Sequence, residues 1–397
     1  MILQFAERMG QIGTESAFEV LAEAKRLEAG GMDMVHLEIG EPDFDTPENI
    51  VDAAVAAMRG GSTHYTPAGG IPEVRAATAA YVARRTGTKP EAENVVLVPG
   101  SKNILHFALL ALVNSGDEVI VPDPGYPIYA SLASFVGARV VSLPIRQSND
   151  FRIDCDELER LITPRTRLLV VNSPGNPTGG VLLEEDCRRI ADISRRHDLM
   201  VLSDEIYSRL VYEGDCPSLY GTEDMAERTI LMDGLSKAWA MCGWRLGYGV
   251  MPRPLAKWME TLMINTSSCA AAFTQLAAVE AFTSPRSEDA VVAMRTEFQH
   301  RRDILVDGLS QVPGVVCHRP LGAFYVFPDI SATGWDDRKL AHDLMHEAGV
   351  ATLSGSAFGS QGAGHIRLSY ANSVDNLERA LERIGSYISK HSPVAAR

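Results

Sequence analysis

Five short apolar runs in this chain lead into residues able to do chemistry. Val95–Val98 runs into Pro99-Gly100-Ser101-Lys102 and then a helical pattern. A Gly/Ser turn at a helix start offers free backbone N–H groups and the positive end of a helix dipole, which suits a phosphate. By itself it would be an ordinary cap. Glu118–Val121 runs into PDPGYPIY, expected as a rigid Pro-rich loop holding Tyr126 and Tyr129. Arg167–Val171 runs into NSPGNPTGG, residues 172–180, whose Pro, Asn and Gly are also plain turn formers. Met200–Leu202 runs into Ser203-Asp204-Glu205-Ile206-Tyr207, where a lone Asp204 would merely cap a helix. Thr229–Met232 leads to Gly234-Leu235-Ser236-Lys237, with Arg245 further on, and a single Lys usually lies at the surface.

Taken together, these residues have a sharper meaning. Ligands of an open α/β sheet bind beyond the carboxyl ends of its strands. One sheet edge would then gather a Lys, an Asp, tyrosines, an Asn, an Arg and a Ser/Gly helix start. That set suits a Lys Schiff base to a phosphorylated pyridine aldehyde. The amine bonds the aldehyde carbon, and a carboxylate keeps the ring nitrogen protonated so that the ring accepts electrons. Phenol and amide groups hold the ring hydroxyl, while Arg, Ser and helix N–H groups take the phosphate.

The elements that must position these groups are legible too. Strand-like runs at Val95–Val98, Glu118–Val121, Arg139–Leu143, Arg167–Val171, Met200–Leu202, Thr229–Met232 and Leu246–Met251 show little alternation, as in strands buried on both faces. Helical patterns such as Asn103–Val113 and Glu184–His197 lie between them, giving the βα rhythm of a mainly parallel, seven-stranded α/β sheet. Ser16 to Ala29 is expected as an amphipathic helix, with Ser16 as N-cap and Glu19 completing a capping box. Past Ser284-Pro285 the pattern changes to a long charged helix, Ser287–Gln311, a strand near Ala323–Phe327, and helices at Lys339–Ala348 and Val374–Ser389 before a ragged tail. We expect a large domain over residues 46–286 and a smaller α+β domain from 1–45 plus 287–397.

Composition excludes several classes. With 397 residues, 46% hydrophobic and 22% charged, the chain is long enough to bury a core unaided and is neither disordered nor disulfide-built. Its net charge of −14 would repel phosphate backbones, which disfavours nucleic-acid binding. The six cysteines include no CxxC pair and fit no zinc spacing, so no metal is expected. No signal peptide or membrane span is read, and a cytoplasmic protein is expected.

The motifs GEPDFDTP (40–47), HYTPAGG (64–70), NSPGNPTGG (172–180), SDEIYSRLVYEG (203–214), SKAWAMCGWRLGY (236–248), GAFYVFP (322–328) and RLSYA (367–371) span nearly the whole chain. In kind and order they resemble those of fold-type I pyridoxal-phosphate aminotransferases, class I/II, of the aspartate aminotransferase superfamily. The resemblance implies pyridoxal 5'-phosphate as cofactor, amino acids and 2-oxo acids as substrates, and a homodimer. It assigns Lys237 to the covalent link with the cofactor and to proton transfer, and Asp204 to the pyridine nitrogen. Asn176 and Tyr207 would hold the ring hydroxyl, and Tyr126 would stack on the ring. Ser101 and Lys102, chiefly through backbone N–H groups, would bind the phosphate with Ser236 and Arg245. Arg367 would clamp the substrate α-carboxylate with help from Gly40 N–H and Asn176, and Tyr65 would reach the phosphate of the neighbouring subunit. Cys242 is given no chemistry, His64 is expected at the surface, and Gly322 to Tyr325 is read as core packing.

The reaction implied is ping-pong transfer of an amino group from an L-amino acid to a 2-oxo acid. A lyase, cyclase, synthase or oxidase would need the same motifs, and a non-catalytic regulator module is the least favoured reading. The cation that some aspartate enzymes draw from the partner subunit has no counterpart in MINTSSCAAAFTQ, residues 263–275.

Overall fold

A computed structural model describes residues 3–13 and 15–391. All but the first residue of the expected C-terminal tail lies outside the described residues. In chain order the first elements are α1 (Ser16–Ala29), β1 (Val35–His36), α2 (Glu48–Arg59), α3 (Pro72–Thr86), β2 (Val95–Val98), α4 (Lys102–Leu112), β3 (Glu118–Asp123), α5 (Ile128–Phe135), β4 (Arg139–Pro144) and α6 (Cys155–Leu161). There follow β5 (Thr166–Asn172), α7 (Glu184–Arg196), β6 (Met200–Asp204), β7 (Thr229–Gly234), β8 (Gly247–Val250), α8 (Arg253–Thr266) and α9 (Ala272–Thr283). The last are α10 (Pro285–Leu309), β9 (Tyr325–Val326), α11 (Asp337–Ala348), β10 (Val350–Ala351), β11 (Leu353–Ser354), β12 (Ile366–Ser369) and α12 (Val374–His391).

Seven strands form one sheet in the order β2-β8-β7-β6-β5-β3-β4. Only β8 runs antiparallel to its neighbours. The apolar runs became strands because helices cover both faces. Every residue of β2, β7 and β8 is buried, whereas the edge strand β4 is partly exposed. Each fully buried Val, Leu or Ile contributes about 1.5–3 kcal/mol by leaving water, so the sheet's centre is well anchored. Several strands run past their apolar stretches. β6 continues to Asp204 and β5 to Asn172, and these two residues lie side by side in register. The sheet thereby carries polar groups rigidly to its carboxyl edge.

A separate apolar cluster joins the two ends of the chain: Val35 and Leu37 pack with Phe298, Phe324, Leu344, Leu368 and Ile384. Beside it β1 pairs with β10, and β9, β12 and β11 form a small antiparallel sheet. Two local expectations are corrected. Glu15, not Ser16, occupies the N-cap position of α1, and no side-chain capping bond forms there. Tyr129 lies on α5 rather than in a loop, because the helix starts directly after Pro127.

Candidate active site

A cleft of about 500 Å³ lies at the carboxyl ends of β5, β6 and β7. Gly40, Ser101, Lys102, Tyr126, Asn176, Asp204, Tyr207, Ser236, Lys237, Arg245 and Arg367 all line it. Tyr65 does not; its side chain is 88% exposed, and His64 is exposed beside it.

Asp204 closes the inner end. It is buried, accepts a hydrogen bond at Oδ2 from the Tyr129 hydroxyl (2.6 Å), and accepts at Oδ1 from the Ile206 N–H (3.2 Å). Burial pushes its carboxyl up to about 6. The bonds from Tyr129 and Ile206 and the charge of Lys237 oppose that rise, and the neighbouring Glu205 adds to it. A buried carboxylate held this way has a strong preference for a cationic partner. Asn172 stiffens the same edge: its amide donates to the Asp204 carbonyl (3.1 Å) and its Oδ1 accepts from the Asn176 N–H (2.8 Å).

Lys237 follows the end of β7, and its Nζ donates to the Gly40 carbonyl at 2.5 Å. The Cys242 sulfur lies 3.7 Å from the same Nζ and donates to the Ser236 carbonyl at 3.2 Å. It thus fills the loop as a small packed group, although burial keeps its thiol pKa raised. Gly40 is needed here because a Cβ would lie 2.0 Å from the Tyr325 hydroxyl.

The other end of the cleft is a turn built for close approach. Gly100 has φ +85°, and a Cβ there would lie 2.1 Å from Arg245 Nη2. Arg245 itself adopts φ 54° and donates from Nη1 to the Cys242 carbonyl at 2.8 Å. Ser101 is the N-cap of α4. A guanidinium, a helix N-terminus and Ser236 thus meet where only glycine leaves room, an arrangement suited to an oxyanion. The side chain of Lys102 points elsewhere. Its ammonium pairs with Glu15, lies over the Tyr126 ring at 5.4 Å, and shares Glu15 Oε1 with the Tyr126 hydroxyl.

Arg367, on β12, is 3% exposed. Nη1 donates to Asn176 Oδ1 (3.3 Å), Nη2 donates to the Glu38 carbonyl, and Nε has no partner. The guanidinium carbon sits 4.5 Å from the Tyr325 ring centre and 5.0 Å from that of Phe358. Aromatic walls fix its plane. Burial lowers its pKa from the ordinary arginine value. Tyr207 is buried and its hydroxyl is 2.8 Å from that of Tyr325. Tyr325 is therefore more than core packing, since its hydroxyl, ring and position all shape the cleft.

Among the lining groups that escaped the sequence reading are Tyr129, Tyr325, Phe358 and Glu15. Tyr129 stood three residues after Tyr126 with no role, and the short helix that turns it onto Asp204 was not read. Glu15 was hidden by the stronger capping signal of Ser16. GAFYVFP did mark Tyr325, but as an apolar stretch.

A model of the family described as aminotransferase class I and II matches residues 32–384. The chain belongs to the class I and II aminotransferases. An aspartate aminotransferase of Pyrococcus horikoshii is 41% identical over 379 residues, 96% of each chain. An aromatic-amino-acid aminotransferase 2 of Thermococcus litoralis is 39% identical over 353 residues, 88% of this chain and 90% of that one. The solved structure of an aspartate aminotransferase from Thermus thermophilus with maleate superposes with a TM-score of 0.93 at 38% identity, covering 97% of this chain and 100% of that one. Class I and II aminotransferases use pyridoxal phosphate. This aminotransferase carries out pyridoxal-phosphate-dependent transamination between an L-amino acid and a 2-oxo acid. Among the described residues no helix is long and apolar enough to cross a membrane, and no group of three or more potential ligands could hold a metal ion.

Proposed function

We propose that the cleft holds pyridoxal 5'-phosphate between Lys237 and Asp204 and takes acidic and aromatic L-amino acids as donors. The single observation that carries this is the buried Asp204, braced by Tyr129 and aimed into the same cleft as Lys237 and Arg367. Its raised carboxyl supports a cationic ring nitrogen as the missing partner. The glycine turn at Gly100 supports a phosphate held by α4, Ser236 and Arg245. Asn176 and Tyr207 stand ready for the ring hydroxyl and Tyr126 for the ring face. The cofactor, once bound, supplies an aldehyde for the substrate amine and a ring that accepts electrons from the substrate Cα.

The residues of the chain do the rest. Arg367 binds the α-carboxylate through its planar fork, using the Nε that has no protein partner, and the Gly40 N–H is placed to assist. Lys237 Nζ takes the Cα proton and returns it, acting as general base and then general acid. Asp204 keeps its charge where the ring nitrogen needs it, and Tyr129 holds that carboxylate in one orientation.

Among the described residues that line the cleft, Lys102 is the cation left for a distal carboxylate. It is paired with Glu15, so an acidic substrate side chain reaching it would compete with that carboxylate. The ring of Tyr126 beside it offers an apolar surface for aromatic side chains. Relatives named for aspartate and for aromatic amino acids agree with both classes.

The large domain is proposed to cover residues 46–286 and the small one 1–45 plus 287–397, with the cleft at their junction. The active unit is proposed to be a homodimer to which the exposed Tyr65 contributes across the interface. Six free cysteines are consistent with a cytoplasmic, reducing compartment.

The test is a half-reaction in absorbance. Aspartate or phenylalanine alone should bleach the bound cofactor's visible band, and a 2-oxo acid should restore it. Lys237→Ala should abolish the band and reduce turnover by about 10²–10⁴-fold or more. Turnover at the wild-type rate in that variant would overturn the assignment, as would release of ammonia in place of the bleach.

A further inference from the structure

A second cleft, of about 410 Å³, opens between the end of α3, the end of α9 and the start of α10. It shares no lining residue with the active-site cleft. Three arginines, Arg84, Arg85 and Arg209, line it against a single carboxylate, Glu288. They come from two separate parts of the chain, α3 and the segment after β6. The N-terminus of α10, a 25-residue helix, lies at the cleft together with the C-termini of α3 and α9, whose dipole ends have the opposite sign.

The donors in this cleft are only partly used. Arg84 Nη2 donates to the Phe282 carbonyl at 2.9 Å. Arg85 Nη1 donates to Glu205 Oε2 at 2.6 Å, while its Nη2 stays 3.7 Å from Asp233 Oδ2. Arg85 Nε and Nη2 have no hydrogen-bond partner, and the hydroxyl of Tyr81, a residue only 5% exposed, faces Arg209. Arg209 Nη2 pairs with Glu288, whose side chain is 54% exposed and can swing into water. Glu205 and Asp233 already serve inner bonds: Ser203 and Ser218 donate to the first, Tyr248 and the Gly234 N–H to the second. Buried donors without acceptors are costly. With Glu205 and Asp233 beside Arg85 and Glu288 on Arg209, three carboxylates balance the three guanidiniums, and what the cleft leaves open is geometric: the unbonded Nε and Nη2 of Arg85 beside Arg84 and a mobile Arg209–Glu288 pair.

We propose that this cleft is a binding site for a phosphate group, free or carried as a small monoester, which displaces Glu288 from Arg209. A carboxylate has two oxygens in one plane, which one guanidinium satisfies. A tetrahedral phosphate presents oxygens in several directions and matches guanidiniums that converge from separate elements. The volume exceeds a single phosphate and leaves room for the rest of a small monoester.

The test is calorimetric titration of the cofactor-loaded enzyme, in which the cofactor's own phosphate site is filled. The probes are inorganic phosphate and glycerol 3-phosphate. One saturable site per chain is expected for at least one probe. Its affinity should fall at least tenfold in Arg209→Gln and in Arg84→Gln, fall several-fold in Tyr81→Phe, and rise in Glu288→Gln. Tighter binding of glycerol 3-phosphate identifies a monoester site, and tighter binding of inorganic phosphate identifies a free-anion site. Absence of saturable binding by either probe overturns the proposal, as does binding that Arg209→Gln leaves undiminished. Should Arg209→Gln fail to fold, Glu288→Gln decides, since its exposed side chain can be neutralised without disturbing packing, and an unchanged affinity there also overturns the proposal.

Discussion

The Tyr129 hydroxyl donates to Asp204 Oδ2 at 2.6 Å, and both residues are buried. This bond favours the charged carboxylate, against burial, which favours the protonated one. Removing the hydroxyl in Tyr129→Phe keeps the ring packing and deletes only that support. In the apoenzyme the Asp204 carboxyl, already near 6, should rise by about one further unit, the equivalent of about 1.5 kcal/mol for a bond to a charged group. The acid limb of cofactor association should move to higher pH by the same amount. Stopped-flow association between pH 5 and 8 checks this, and an unshifted limb would mean that Tyr129 only fills space.

Arg367 is expected to act through shape as well as charge. Its guanidinium lies against the Tyr325 and Phe358 rings, and its Nε is buried without a partner. Lysine keeps the charge and loses the fork. Truncating a buried, hydrogen-bonded charge pair costs about 2–5 kcal/mol, so Arg367→Lys should lower kcat/KM by about 10²–10³-fold, chiefly through KM. Steady-state kinetics with aspartate decides it. A fall confined to kcat would place Arg367 away from the substrate carboxylate.

Two buried carboxyls give the apoenzyme a definite pH signature. Burial holds Asp204 up to about 6 and Asp233 up to about 7, while their ordinary value is 3.8. Between pH 4 and 7 the unfolded chain releases these protons and the folded chain keeps them. Their contribution to stability therefore falls as pH rises through that window. Asp204→Asn removes one of the two contributions. The variant apoenzyme should gain on the wild type as pH rises from 5 to 8, by about 1.4 kcal/mol over that range. Urea midpoints at both pH values measure it. The groups held low, such as Glu23 near 2 and Asp33, act only in more acidic solution and leave this window alone.

The residues that sit where apolar strands stop were legible from sequence because the sheet dictates their placement. β6 must deliver Asp204, and β7 with the turn after it must deliver Lys237, to the same edge. One helix that no periodicity announced, α9, is one whose surroundings override the pattern. α9 is apolar or small nearly all round because it packs against both α2 and α3, so it shows no polar face. Tyr325, Phe358 and Glu15 reach the cleft only through tertiary packing of chain segments far apart in sequence. No local spacing could have brought them to Arg367 or Lys102.

The pair formed by Lys102 and Glu15 makes the sharpest test of substrate choice. Lys102 lies at the start of α4 and Glu15 at the N-cap of α1, so a bond between their side chains ties the two helices together beside the cleft with opposite charges. An acidic substrate must replace Glu15 as the partner of Lys102, whereas an aromatic substrate needs only the Tyr126 face. Lys102→Gln should therefore lower kcat/KM for aspartate by about tenfold or more, the worth of a charge-assisted bond of roughly 1.5–3 kcal/mol. Phenylalanine should lose little. Glu15→Gln removes the competing carboxylate and should lower KM for aspartate while leaving phenylalanine unchanged. A panel of donors assayed with one common 2-oxo acid reads both variants at once. Equal losses for aspartate and phenylalanine in Lys102→Gln would move the distal carboxylate to another cation and leave Lys102 as a brace for α1.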